Sequence, residues 1–301
     1  MRLSSISSAL SNYGSKSRPR SKRGLSEADG TGRSDWIARL GIVLTFLALA
    51  SYTWAHWGDL RIDCGREVYV PAAILNGKML YRDLWYPYGP LVPYGQAALF
   101  RLFGVHLNVL YLCGLSLTIS FAMLLYALGR RFLPPAGAFL VAFCFLVQGF
   151  GPGIFNYIFP YSYAAMMGAL LGLACLYFLV RHILNEPGPN LLVAGCGAGL
   201  ALLCKQEFGI ACYMVLAFVL VAQVLAHRSG REFALDLLRL APGLLANLVV
   251  YGWFVWRLSP RFIFLENFQQ TPGSYFMRTF GAIWMSHVGL RFIPHELITQ
   301  K

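Results

Sequence analysis

Residues 132–180 read FLPPAGAFLVAFCFLVQGFGPGIFNYIFPYSYAAMMGALLGLACLYFLV and contain no Asp, Glu, Lys or Arg. A run of this length suits a lipid bilayer, where each spanning helix uses about 20 apolar residues. The rest of the chain has the same character, with 57% hydrophobic and only 13% charged residues. Soluble domains carry about 25% charged residues. The sequence therefore predicts an all-α fold, a polytopic transmembrane helical bundle.

The formal net charge of +12 has two interpretations. Nucleic-acid binding is one, but Lys and Arg also accumulate on the cytoplasmic loops of membrane proteins. Because the chain is so apolar, we interpret the excess as a basic cytoplasmic face. We predict membrane lipids as partners and no nucleic acid.

Residues 1–35 are rich in Ser, Gly and Arg and carry seven Lys or Arg against three acids. This composition is typical of a disordered basic tail. The apolar stretch that follows, about 36–56, is long enough for a full span, which favours a signal anchor over a cleaved signal peptide. The tail is then cytoplasmic, and the polar stretch after the span lies outside.

Residues 88–104, YGPLVPYGQAALFRLFG, decide the sidedness of everything after them. If they crossed the membrane, the basic clusters at 130–131, 181–182 and 228–231 would face outward. If they lie flat on the outer surface, these clusters all become cytoplasmic, as basic loops usually are. The segment is short, contains two Pro residues and carries Arg101, which costs about 3 kcal/mol near the centre of a membrane. We therefore predict a surface helix.

Seven spans follow from this choice: 36–56, then about 108–129, 134–150, 162–181, 190–204, 208–227 and 237–256. The span at 190–204 is rich in Gly, which lets neighbouring helices approach closely. The predicted transmembrane domain is 36–257 with an external loop at 57–107, and residues 258–301 form a C-terminal tail. We expect a multi-pass protein of the cell membrane with a cytoplasmic N-terminus.

Asp63 is the first candidate for catalysis, because it follows the first span near the membrane–water boundary. A carboxylate placed there could accept a proton from an acceptor hydroxyl, and positioned general bases contribute about 10²–10⁴-fold in rate. A solvated loop acid is the alternative. Glu67 would share a helix face with Asp63, so the two could act as acid and base or bind a divalent metal. Asp63 could equally cap a short amphipathic helix over 65–77, ended by Gly77.

Other charged residues of the external loop leave two roles open. Arg66 and Arg82 could bind phosphate, or they could anchor the loop at lipid headgroups. Asp83 could pair with a cation such as Lys78, or it could cap a turn.

Three aromatic residues follow in the same loop: Trp85, Tyr86 and Tyr88. They could stack on a sugar ring, or they could belong to an interfacial aromatic belt, which is the commoner use of such residues.

Lys205 is the only Lys or Arg between Arg181 and Arg228. It directly follows the Gly-rich span, and in the topology above it faces the same side as Asp63. A charge in a tight turn between two spans is a candidate for function. Lys205 could bind a phosphate, or it could form an ion pair with Glu207 or Glu67.

The order of these segments is similar to that of the membrane glycosyltransferases of the GT-C superfamily, which include protein O-mannosyltransferases and the aminoarabinose transferases of lipid A. The resemblance rests on Asp63 after the first span, on the helix GREVYVPAAILNG, and on LYRDLWYPYGPL leading into AALFRLFG. It also includes the Lys-containing turn CKQEFG after the Gly-rich span. It covers about residues 36–257.

This resemblance implies transfer of a sugar from a polyprenyl-phosphate carrier on the extracytoplasmic side, to an acceptor glycan, lipid or protein. It also implies that Asp63 is the base for the acceptor and that Lys205 contacts the lipid phosphate. The sequence departs from the family in two places. Many relatives have Asp-Glu where this chain has Asp63-Cys64, and the aminoarabinose transferases have a Lys at the position of Tyr88.

A membrane glycosyltransferase is the leading hypothesis, and two others stay open. A transporter or flippase usually needs buried polar groups in its spans, which are almost absent here. Relatives usually continue with further spans, which leaves a fragment, a minimal member or an inactive scaffold as alternatives.

Overall fold

The computed structural model describes residues 24–58, 64–151, 156–225 and 230–268. All regular secondary structure in these ranges is helical, which confirms the predicted all-α class. The α-helices are α1 (Gly24–Tyr52), α2 (Cys64–Leu75), α3 (Leu91–Phe103), α4 (Leu107–Gly129), α5 (Pro135–Gly149), α6 (Tyr163–Ile183), α7 (Asn190–Cys204), α8 (Gln206–Leu225) and α9 (Gly230–Leu258). A π-helical segment, Phe262–Asn267, follows α9.

Five helices of the described chain are long and apolar enough to cross a membrane: Gly32–Tyr52 within α1, and the whole of α4, α6, α8 and α9. Two shorter apolar helices, α5 and α7, have 15 residues each. At 1.5 Å per residue each is about 22 Å long, whereas the hydrocarbon layer is about 30 Å thick. Flanking residues therefore have to complete those two crossings. The seven helices correspond to the seven predicted spans.

The first helix differs from the sequence prediction at its start. It begins at Gly24, within the segment that we expected to be a disordered tail up to residue 35. It ends at Tyr52, four residues before the predicted end of the first span. Residues 1–23 of the expected tail lie outside the described residues.

Glycine lets α7 and α9 pack backbone to backbone. A Cβ added to Gly199 would lie 2.5 Å from the Gly243 carbonyl oxygen, and one added to Gly243 would lie 2.1 Å from the Gly195 carbonyl oxygen. At either position, the side chain of a larger residue would clash with the backbone of the neighbouring helix. The close approach predicted from the Gly-rich span is therefore confirmed, and small residues are what membrane helices use at such contacts.

Contacts between helix ends define one polar end of the bundle, which we name the loop end. The Tyr163 hydroxyl donates to the Leu110 carbonyl at 2.7 Å, and the Gly89 amide donates to the Cys204 carbonyl at 2.9 Å. These bonds join the starts of α4 and α6, the end of α7 and the loop before α3. The loop end comprises residues 64–110, 156–163 and 204–207.

The opposite end, which we name the turn end, is held by ion pairs. The Arg130 guanidinium bonds the Asp35 carboxylate at 2.5 Å, while Arg131 and Arg181 both pair with Glu186. These contacts join Asp35, in the first half of α1, to the α4–α5 turn, and that turn to the α6–α7 turn. The turn end comprises residues 35, 126–133 and 181–190.

The surface helix predicted over 88–104 appears as α3, which starts and finishes at the loop end. Just before it, Gly89 contacts Cys204, and just after it, Leu110 contacts Tyr163. A crossing helix would have carried the chain to the turn end. The prediction that this segment does not cross the bundle is thus confirmed, and its position on the outer membrane surface stays a prediction.

Candidate functional site

The predicted base, Asp63, lies outside the described residues, which resume at Cys64. Cys64 is the first residue of α2, and its thiol lies 3.6 Å from the Phe159 carbonyl oxygen. The short helix expected over 65–77 is confirmed. It ends shortly before Gly77, whose φ of +84° lies in the left-handed region that favours glycine. The helix α2 places Glu67 in the interior of the loop end.

Glu67 is 2% exposed and is held at the N-terminus of α6. One carboxylate oxygen accepts a hydrogen bond from the Tyr163 amide at 3.1 Å, and the other accepts from the Arg66 guanidinium at 3.3 Å. These two bonds fix the position of the carboxylate at the first turn of α6. The geometry gives Glu67 a part in joining α2 to α6 and in orienting Arg66.

Arg66 and Lys205 meet at a single aromatic ring. The Arg66 guanidinium carbon lies 5.2 Å from the centre of the Tyr88 ring, and the Lys205 ammonium lies 5.0 Å from it. Both distances are typical of cation–π contacts. The two cations are therefore within about 10 Å of each other. Arg66 also donates to the Tyr161 carbonyl at 2.9 Å. Two residues from distant parts of the sequence thus form one positive site.

A glycine brings this loop against the end of α7. The Gly89 amide donates to the Cys204 carbonyl, directly beside Lys205. A Cβ on Gly89 would lie 2.0 Å from the Leu203 carbonyl oxygen, so the contact requires glycine. The Gly-Pro-Leu element of the sequence therefore has a structural reason: it seats Tyr88 next to Lys205.

Lys205 pairs with Glu207 and not with Glu67 among the described residues. Its ammonium lies 3.8 Å from a Glu207 carboxylate oxygen, near the limit for an ion pair, and the Glu207 side chain is 41% exposed. Such pairs contribute about 0–1 kcal/mol. The Lys205 side chain is itself 14% exposed, so a largely buried ammonium has one distant acid beside it. This leaves Lys205 able to bind another anion.

Two of the three aromatic residues of the loop, Tyr86 and Tyr88, are buried, whereas Trp85 is not. Tyr86 and Tyr88 are 1% and 5% exposed, so neither lies in an interfacial belt, and the Tyr86 ring has no open face for a sugar. Burial raises the pKa of Tyr88 to about 12 and that of Tyr86 well above its usual value. Both hydroxyls therefore stay protonated. The Tyr86 hydroxyl is buried without a hydrogen-bond partner. Trp85 is half exposed and donates to the Glu266 carbonyl at 3.2 Å.

Arg82 and Asp83 form a turn of their own. Their side chains pair at 2.8 Å, and Asp83 also accepts from the Met79 amide at 2.8 Å. These two bonds lower the pKa of Asp83 to about 2, with Lys78 adding a weaker electrostatic contribution. Asp83 thus does both things that the sequence left open: it caps the turn through Met79, and it pairs with a nearby cation, which is Arg82 and not Lys78. The described contacts do not join this pair to Arg66 or Lys205.

Sequence reasoning missed Asn267, which lies in the segment that we had placed in a C-terminal tail. Its amide oxygen accepts from the Tyr86 amide at 2.9 Å, and its amide nitrogen donates to the Tyr81 carbonyl at 3.0 Å. Asn267 is 4% exposed. The one signal for it in the sequence is a polar residue in an apolar run, FIFLENF, at 262–268.

An apolar cavity of about 590 Å³ opens beside the loop end, between α3, α4 and α6. His106 and Asn108 lie at the start of α4 and supply polar groups near one end of it. The remaining lining residues are Leu99, Phe103, Val109, Leu112, Cys113, Ser116, Leu117, Ser120 and Met167. The cavity has the size and apolar character of a small-molecule or lipid-chain site.

The divalent metal that the sequence left open has no preformed site among the described residues. No group of three or more His, Cys, Asp or Glu side chains there could hold a metal ion. Asp63 falls outside that search, so a metal that uses it stays a prediction.

Comparison with known proteins shows the family of this chain. A family model described as dolichyl-phosphate-mannose-protein mannosyltransferase matches residues 87–256, more than half of the chain. No curated protein and no solved structure matches. The matched segment contains Tyr88 and Lys205, whereas Asp63, Glu67 and Asn267 lie outside it.

Proposed function

We propose that this chain, which belongs to the dolichyl-phosphate-mannose-protein mannosyltransferase family, transfers a sugar from a polyprenyl-phosphate carrier. Membership of that family makes it a multi-pass membrane glycosyltransferase of the GT-C type. The acceptor is a hydroxyl on the extracytoplasmic side, carried by a glycan, a lipid or a protein. The loop end is the site of transfer.

The observation that supports this proposal is the positive site formed by Arg66 and Lys205 at Tyr88. A polyprenyl-phosphate sugar presents an anionic phosphate at the membrane surface, and ionised donors bind phosphate through short, strong hydrogen bonds. In this proposal Lys205 is a ligand of the lipid phosphate. Arg66 supports it, and Tyr88 separates the two cations from the apolar interior.

During transfer, the acceptor hydroxyl attacks the anomeric carbon of the sugar. The bond from that carbon to the phosphate oxygen breaks, and the electron pair leaves with the polyprenyl phosphate. Lys205 stabilises the negative charge that grows on this oxygen, an effect for which single donors contribute about 3–4 kcal/mol in other enzymes. The proton of the acceptor goes to Asp63, which we propose as the base. Glu67 is the nearby alternative, although its bonds to Arg66 and Tyr163 suit a positioning role better.

The proposed sidedness rests on the sequence-based topology. In it the basic tail 1–35 and the basic clusters at 130–131, 181–182 and 228–231 all face the cytoplasm, where such clusters accumulate. The loop end is then extracytoplasmic, and the N-terminus is cytoplasmic. The Arg82–Asp83 pair, at the exposed part of the loop, has the role of folding the loop in this proposal.

The test compares two variants of the purified full chain in lipid nanodiscs. Lys205→Met should weaken polyprenyl-phosphate binding by about tenfold or more and lower sugar transfer in parallel, because it removes a charge-assisted contact. Asp63→Asn should leave binding unchanged and lower transfer by about 10²–10⁴-fold, because it removes only the base. The control is Arg101→Gln, which changes an exposed cation on α3 and should alter neither quantity.

Two results would contradict the proposal. If Lys205→Met binds polyprenyl phosphate as tightly as the unchanged protein, Lys205 is not a phosphate ligand. If the unchanged protein binds the lipid-linked sugar but transfers it to no acceptor, the inactive-scaffold alternative is correct.

A further inference from the structure

Asn267 forms a bridge between the end of the described chain and the loop that carries Tyr88. It lies at the last position of the π-helical segment Phe262–Asn267, which follows α9. It bonds residues 181 and 186 positions earlier in the sequence, Tyr86 and Tyr81 respectively. The segment also contributes Glu266, whose carbonyl accepts from Trp85.

We propose that Asn267 is a positioning residue, which holds the segment 81–88 so that the Tyr88 ring stays against Arg66 and Lys205. This inference rests on the proposed function in one respect: the site that Asn267 organises is the one assigned to the lipid phosphate.

The chain of contacts from Asn267 to the cations is short. Asn267 donates to the Tyr81 carbonyl at 3.0 Å, and the Tyr81 hydroxyl donates to the Tyr88 carbonyl at 2.8 Å. The next residue, Gly89, is bonded to the Cys204 carbonyl at 2.9 Å. Asn267 thus fixes one side of the segment and α7 fixes the other, with Tyr88 between them.

The chemistry of the contact selects an asparagine. Its amide oxygen accepts from one backbone group while its amide nitrogen donates to another, and no side chain with only oxygens can do both when ionised. A third bond, from the same nitrogen to the Phe262 carbonyl at 2.7 Å, fixes the orientation of the amide. Removing either partner would leave a buried backbone group unpaired, which is costly.

Aromatic packing places the segment against the bundle in the same region. The Tyr81 ring lies edge-on to Phe254 at 5.0 Å and to Phe268 at 5.7 Å. These apolar contacts stabilise the packing of the segment, but they do not fix its position along the bundle, because rings can slide past one another. The hydrogen bonds of Asn267 fix the register of the segment, so the amide has the positioning role and the rings have the packing role.

The experiment compares Asn267→Asp and Asn267→Ala with Asn247→Asp, using the full chain in nanodiscs. Asn247 is a matched control because it is also a buried asparagine, and its described hydrogen bonds go to the Gly243 carbonyl and the Tyr213 hydroxyl, not to the loop. Two readouts need no ligand: hydrogen exchange in peptides covering 79–89, and the reactivity of the Lys205 amine toward an acylating reagent. The third is binding of polyprenyl phosphate per folded molecule.

Both Asn267 variants should increase exchange in 79–89 and expose the Lys205 amine. They should also weaken polyprenyl-phosphate binding by about tenfold, the effect of losing one or two hydrogen bonds. Asn247→Asp should change none of these, even where it lowers the melting temperature by a similar amount. A protonated carboxyl can donate as the amide does. Because the site is buried, the pKa of the new carboxyl should be raised, and binding by Asn267→Asp, relative to the unchanged protein, should recover as the pH falls from about 8 to about 5.

The proposal is overturned if exchange in 79–89 and Lys205 reactivity match those of the unchanged protein. It is also overturned if both rise while polyprenyl-phosphate binding is unaffected, because Asn267 would then be a structural residue only. If the unchanged protein binds no polyprenyl phosphate, the proposed function fails, and the two ligand-free readouts still decide whether Asn267 keeps Tyr88 against Lys205.

Discussion

The two polar ends of the bundle differ in how one cation is paired. At the turn end, Arg130, Arg131 and Arg181 each bond an acid within the fold. At the loop end, Arg66 and Arg82 also pair with neighbouring acids, but the nearest acid to Lys205 among the described residues is 3.8 Å away, and Lys205 lies against the Tyr88 ring. Satisfied ion pairs join helices to one another, whereas a cation without a close acid can bind an anion that arrives from outside. The distance from a cation to its nearest acid, more than the number of charges, therefore distinguishes the turn end from the candidate site at the loop end.

The largest expected effect concerns the sidedness of the two ends. A cysteine at Val105 (V105C), which is 47% exposed at the loop end, should react with a membrane-impermeant maleimide added outside the cell. A cysteine at Phe132 (F132C), 71% exposed at the turn end, should react only after the membrane is opened. The expected difference is all or none, because the bilayer blocks the reagent.

The control for this labelling is the unchanged protein, whose seven cysteines are all free. The opposite labelling pattern would place the basic turn end outside, and the extracytoplasmic assignment of the loop end would then be wrong.

An intermediate effect is expected from breaking a clamp at the turn end. Asp35→Asn removes a charge that bonds both Arg130 and the Tyr126 hydroxyl. The free energy of unfolding should fall by about 1–2 kcal/mol, the usual size for charge-assisted bonds that are partly buried. Polyprenyl-phosphate binding per folded molecule should not change. Thermal unfolding and binding, measured on the same preparation, check both statements. A loss of binding with unchanged stability would remove the distinction between the two ends.

The smallest effect is expected from the exposed turn at Asp83. Its pKa is lowered from 3.8 to about 2 by Arg82 and by the Met79 amide, so its ionised form is the one that the folded turn favours. A lowered pKa means that this stabilisation is present above about pH 4 and is lost as the pH falls toward 2. The unchanged protein should melt slightly higher than Asp83→Asn at pH near 5, and the difference should vanish near pH 2. A difference that grows as the pH falls would show that the sign is wrong. Salt should reduce the effect, because the pair is exposed.

The structure gives a role to Tyr88, which stands where the aminoarabinose transferases have a lysine. The aminoarabinose transferases resembled by this chain have a lysine there, and its absence suggested a missing phosphate ligand. In the fold, the Tyr88 ring lies against both Arg66 and Lys205. The position therefore still belongs to the positive site, although it contributes a ring instead of a charge.

Much of the architecture could be predicted from the sequence, because membrane spans follow from composition and length. The helix at 190–204 has the predicted bounds, and α4 and α6 differ from prediction by at most two residues at either end. The surface helix also followed from local properties, namely two prolines and Arg101 in a short apolar segment. Helix ends governed by polar sequence, such as the start of α1 at Gly24, were harder to place.

The contacts of the candidate site could not be predicted, because they join residues that are far apart in sequence. Nothing near Asn267 indicates that its amide bonds Tyr81 and Tyr86, and nothing near Tyr86 indicates that its ring is buried. Arg82 was a candidate phosphate ligand in the sequence, but it pairs with Asp83, which accepts a hydrogen bond from Met79 in a local turn.

The sequence by itself determined the membrane class, the seven apolar helices and the shared side of the external loop and Lys205. These features depend on hydrophobicity, segment length and charge distribution, which are local properties of the chain that govern membrane insertion. Only the tertiary structure decided which charges are neutralised within the fold and which remain able to bind an anion. That decision depends on ångström-scale distances between helices, such as the Gly89–Cys204 contact that seats Tyr88 beside Lys205. In the folded chain, the loop after the first span thereby carries Arg66 and Tyr88 to Lys205, which lies far along the sequence.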